Sequence, residues 1–115
     1  MTEKEFEGLK KGMNVFRTYM QGPVICKVSN IEEGKAFLYE IAPVKNGFLG
    51  TIDRATCAKW HLTMVKALED GIAIMDRLIE DKTVENELKQ KFISAKKMYE
   101  ALLKRAREKA QEKAS

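Results

Sequence analysis

Val24-Ile25-Cys26-Lys27-Val28 and Phe37-Leu38-Tyr39-Glu40-Ile41 are the stretches on which the fold turns. In the first, Val24, Cys26 and Val28 alternate with Ile25 and Lys27. In the second, Phe37, Tyr39 and Ile41 alternate with Leu38 and Glu40. A period of two puts successive side chains on opposite faces of a strand. Turn signals surround both runs: Gln21-Gly22-Pro23, Asn30 to Gly34, and Pro43 to Gly47 with Asn46-Gly47 inside it. Upstream, residues 13–20 are rich in β formers, and downstream Phe48 to Ile52 reads as a short fourth strand. Four short strands joined by tight turns predict an antiparallel meander over 13–53. Such a sheet hides its edges and its apolar face by closing into a small barrel or by taking helical cover.

On either side of this region the period changes. At the start, Thr2 and Glu5 form a capping box, Phe6 and Leu9 give an apolar edge, and Gly12 marks the end of a short helix over 1–12. After Asp53, a residue suited to cap a helix starting near Arg54, no proline interrupts the chain. Val65, Leu68, Ile72, Met75 and Ile79 form an amphipathic stripe, and Leu88, Phe92, Ala95, Tyr99, Leu102 and Ala106 form a second. The register breaks between them, so Asp81-Lys82-Thr83 reads as a turn. The preferred reading is an antiparallel helical hairpin, about 54–81 and 83–112; the alternative is one long helix whose stripe changes face. The expected fold is therefore α+β, one domain over 1–115.

The 115 residues suffice for a single core. No stretch approaches the length of a membrane span, and the charged first eleven residues do not resemble a secretory signal. The net charge of +4 is uneven: residues 82–115 hold 10 basic and 5 acidic groups, while residues 1–53 hold 7 of each. A basic tail attracts nucleic acid or an acidic partner. Two cysteines, Cys26 and Cys57, in apolar surroundings fit a reducing cytoplasm better than a disulfide framework.

Gly12-Met13-Asn14-Val15-Phe16, Gly22 before Val24 to Val28, Phe37 to Ile41, and Gly47-Phe48-Leu49-Gly50-Thr51-Ile52-Asp53 together resemble the SH3-like small barrels of the KOW and Tudor type. The resemblance covers residues 12–53 and carries over no site residue.

Chemistry-bearing motifs are sparse. Cys57 and His61 stand four apart on the expected helix, the spacing of a two-ligand half-site, with Cys26 as a conceivable third ligand. A core thiol and a half-buried histidine explain the same residues, and no CxxC pair is present. Phosphate-cradling glycine motifs are missing too. The expectation is no catalytic residue, no metal and no cofactor: not an enzyme.

Two non-enzymatic readings follow. Trp60, Ala67, Ile74 and Leu78 make a second apolar ridge on the first long helix, with Gly71 between the ridges where another backbone can approach. Partner binding through Trp60, Ile74 and Leu78 would make the chain a protein-interaction module. By analogy it would be a small adaptor or inhibitor such as mobile genetic elements or phages encode. A homodimer through the helices is a further option, since heptad stripes pair within one chain or between two. The alternative is nucleic-acid binding. It would use a barrel face that interleaves aromatics with cations (Phe16, Arg17, Tyr19, Lys27, Phe37, Tyr39, Lys45 and Phe48) and the basic helix end at Lys104, Arg105 and Arg107.

Overall fold

The computed structural model describes residues 1–47 and 49–114. Helix α1 (Glu3–Glu7) leads into strands β1 (Asn14–Tyr19), β2 (Gly22–Glu32), β3 (Lys35–Ala42) and β4 (Leu49–Ile52). A 3-10 turn (Cys57–Lys59) follows, then helices α2 (Met64–Glu80) and α3 (Asn86–Ala114). The sheet has the order β1-β2-β3-β4, antiparallel throughout. It is the expected meander followed by a helical hairpin, and the sheet is not closed into a barrel.

Local chemistry accounts for the elements and for where the expected boundaries move. The Thr2–Glu5 capping box forms, but α1 ends at Gly8 rather than Gly12. The turn expected over 30–34 shrinks to Glu33-Gly34. Both residues have positive φ (51° and 75°), so this is a primed two-residue turn that matches strand twist. Asn30 to Glu32 therefore belong to β2 although they carry no alternating apolar signal. Extra residues at Ser29 on β2 and Ile41 on β3 shift the register and keep both strands long. The expected start of the fourth strand, Phe48, lies outside the described residues.

The starts of both long helices need correction. The helix expected from Arg54 begins at Met64, where Thr63 accepts the Lys66 N–H as N-cap at 3.2 Å. Asp53 does cap, accepting the Thr56 N–H at 3.0 Å, but only a single turn follows. The chain then runs extended, and His61 pairs with Phe16 on the outer edge of β1 through two 2.8 Å backbone bonds. Sheet pairing outweighs helix propensity here. The last helix starts at Asn86 rather than residue 83, because Asp81 and Thr83 bond each other and tighten the link. Those bonds from Thr83 hold the Asp81 carboxyl below its usual range.

Two apolar clusters result. One lies on the inner face of the sheet. Val15, Cys26, Val28, Ala36, Leu38 and Ile52 are buried there under Phe6, Leu9, Cys57 and Trp60. The other fills the hairpin: Leu68 and Met75 of α2 meet Phe92, Ala95, Tyr99 and Leu103 of α3, so the two stripes are used within one chain. Each fully buried side chain of this size stabilises by about 1.5–3 kcal/mol. Interhelical ion pairs Lys96–Asp76 (2.6 Å) and Arg107–Glu69 (3.3 Å) fix the antiparallel register. The sheet and hairpin meet along a narrow seam. Thr18 on β1 donates to the Ala67 carbonyl at 3.2 Å, Gly71 lies against Thr18, and the Tyr99 hydroxyl donates to the Tyr19 carbonyl.

Candidate interaction surfaces

The inner sheet face buries a thiol and a carboxylate among its apolar groups. Cys26 stands opposite Glu40 on β3. Glu40 is buried and its carboxylate accepts the Val44 N–H at 2.8 Å, which anchors the loop between β3 and β4. Burial, with the Glu40 carboxylate as a second cause, pushes the Cys26 thiol up to about 11 from 9.0. A buried thiol held protonated is inert as a nucleophile. The sign for stability follows. Folded protein keeps the proton after the unfolded chain has lost it, so the stability is full below about pH 9 and is lost as the pH rises through about 11. Burial raises the Tyr99 hydroxyl in the same direction. Urea titrations at rising alkaline pH are expected to show this loss, with a smaller slope in Cys26→Ala; parallel slopes would remove Cys26 as its source.

Cys57 and His61 do not share a helical face. Cys57 is buried in the 3-10 turn and its thiol donates to the Arg54 carbonyl at 3.4 Å. His61 belongs to the extended segment, and its Nε2 lies 3.1 Å from Asp70 Oδ2 on α2. No metal-binding group of three or more ligands occurs among the described residues.

The expected ridge on α2 is likewise dismantled. Trp60 precedes the helix and is 3% exposed, packed into the sheet cluster. Ala67 is buried and Leu78 packs into the hairpin cluster. Of the three expected partner-binding residues only Ile74 is exposed. The periodic spacing from Trp60 to Ala67 misled, because no helix connects them.

The cations and aromatics expected to bind nucleic acid separate into four places. Strand pairing puts Lys27, Tyr39 and Leu49 side by side in one row of the outer face, with Phe37 next to it. Arg17 and Tyr19 lie on the opposite face, where the Arg17 guanidinium sits 4.8 Å from the Tyr19 ring centroid and 5.7 Å from that of Trp60. Lys45 is exposed in the loop after β3. Lys104, Arg105 and Arg107 are exposed near the end of α3, with Arg107 engaged by Glu69. They do not form a single positive surface.

The outer face near β4 is what the sequence reading missed. Leu49 is 77% exposed and Phe37 37%, both on this face, while Val44 in the loop beside Glu40 is 56% exposed. The helices pack chiefly on β1, at the other edge of the sheet. The β1 edge is covered by His61, whereas among the described residues no strand pairs with the far side of β4. Alternation alone cannot tell which of two apolar faces stays uncovered, so the sequence held no direct signal for it. Among the described residues no helix is long and apolar enough to cross a membrane. No protein-family profile, curated protein or solved structure matches the chain.

Proposed function

We propose that this chain is a non-enzymatic protein-interaction module, an adaptor or inhibitor. The observation that carries the reading is the bare corner at β4. Leu49 and Phe37 are exposed on one face beside a strand edge without a charged residue. Sheet edges are ordinarily protected by charge, proline or a covering segment. An uncharged, unpaired edge flanked by apolar side chains suits an extended segment of another protein, which would add a strand to β4 and seat its side chains on Leu49 and Phe37. The return of residues 60–62 to β1 supports the small-barrel kinship, and two free, buried thiols support a reducing cytoplasm.

A second reading has one observation in its favour: Lys27 and Tyr39 are direct cross-strand partners beside Phe37, a stacking surface with a cation in it. Single-stranded nucleic acid would then occupy the same outer face.

The test uses the full chain and a Leu49→Asp/Phe37→Ser variant with an unchanged melting curve. Wild type is expected to capture a protein that the variant loses, and that protein, once purified, binds wild type alone in a titration. Equal capture by both would overturn the assignment of this face. Anisotropy with labelled single-stranded RNA and DNA runs alongside. Salt-dependent binding abolished by Lys27→Glu would move the function to the second reading.

A further inference from the structure

A small cleft of about 150 Å³ opens where α2 passes β1, lined by Arg17, Thr18, Lys59, Asp70 and Ile74. Its cations are unusually placed. The Arg17 guanidinium carbon lies over two rings, 4.8 Å from the Tyr19 centroid and 5.7 Å from that of the buried Trp60, which holds the group in place before any ligand arrives. Among the described residues no carboxylate pairs with Arg17 or Lys59. The one acid in the cleft, Asp70, is engaged by His61 Nε2 at 3.1 Å. Thr18 spends its hydroxyl proton on the Ala67 carbonyl. A guanidinium held over aromatic faces and without a carboxylate partner keeps its N–H edges for a planar oxyanion, which it takes in a bidentate manner.

We infer that this cleft is a carboxylate-binding site, and that its ligand is an acidic side chain of a protein partner, bound by Arg17 and Lys59 with an apolar neighbour resting on Ile74. Three features favour a protein carboxylate over a nucleic-acid backbone. The volume suits one small acidic group. Exposed Ile74 at the rim offers an apolar contact that a phosphodiester chain cannot use. Asp70 in the wall repels a run of phosphates more than a single carboxylate. The partner's being a protein rests on the interaction reading above, but the cleft lies apart from the β4 corner, and its chemistry is testable without the partner.

Trp60 is the single tryptophan of the chain and lies under Arg17, so its emission reports occupancy. The full chain is titrated with N-acetyl-glutamate amide, with inorganic phosphate, and with a single-stranded oligonucleotide. Saturable change in Trp60 emission is expected with the glutamate derivative, stronger than with phosphate. Arg17→Gln should abolish it. Lys59→Gln, at an exposed position outside both apolar clusters, should weaken it about tenfold with an unchanged melting curve. Absence of a saturable change, or one that survives in Lys59→Gln at full strength, would overturn the site. Preference for the oligonucleotide would overturn the protein-carboxylate ligand. Each of these failures leaves the β4 corner, and the capture experiment on it, unaffected.

Discussion

Tyr99→Ala is expected to lower the stability of the chain by about 3–5 kcal/mol, the range for truncating a large buried aromatic. Tyr99 is 1% exposed, the largest of the fully buried side chains. Its ring fills the hairpin cluster and its hydroxyl donates to the Tyr19 carbonyl at the end of β1. One residue therefore serves the packing of the two helices and their attachment to the sheet. The two roles separate by substitution. Tyr99→Phe keeps the ring and removes the donor, which is expected to cost about 1 kcal/mol. Urea unfolding followed by circular dichroism reads both. A loss below about 1 kcal/mol for Tyr99→Ala would mean that the hairpin docks on the sheet through other contacts.

Gly71→Ala is the second large effect, and its sign runs against helix propensity. In an exposed helix the change stabilises by about 1 kcal/mol. Here a Cβ at 71 would stand 2.5 Å from Thr18 Oγ1 and 3.0 Å from Thr18 Cβ. Thr18 is β-branched and sits in a paired strand, so it has little room to turn away. Overpacking of this kind costs about 1–3 kcal/mol, and the net result is expected to be destabilising. Thr18→Ala in the same chain removes Oγ1 and Cγ2 and leaves only Cβ of the obstructing atoms. The double variant should lose less than the sum of the two single changes, which a double-mutant cycle measures directly. Strict additivity would place Gly71 and Thr18 out of contact.

These two residues also mark what a reader of the sequence can and cannot see. Gly71 was legible: a glycine between two apolar ridges points to close approach, and β1 is what approaches. The stripes Val65 to Ile79 and Leu88 to Ala106 were legible because a helical period persists over many residues. The segment from Arg54 to Leu62 was not. Trp60, Ala67 and Ile74 keep a seven-residue spacing across a change of conformation, so periodicity alone assigned Trp60 to a helix it precedes. What decides that segment is the backbone bond pair between Phe16 and His61, a non-local contact with no composition signal. For the same reason the sequence grouped Arg17 with Lys27. Ten residues apart on neighbouring strands, they fall on opposite faces once the register is set. Arg17 and Trp60 were each singled out for different roles, and only the fold brings them into one stack.

The strand order has a kinetic consequence. Every strand pairs with its neighbour in the chain, and the helices pair with each other. Nearly all of the structure thus forms by closing short loops, the regime in which domains fold fast. The exceptions include Thr18 on Ala67, His61 on Phe16, Met1 on Cys57 and Tyr99 on Tyr19, the last spanning 80 residues. The entropy of closing so long a loop is met only after both halves offer prepared surfaces. The topology therefore predicts that the meander and the hairpin form first as local units and that their docking along the seam is the late step.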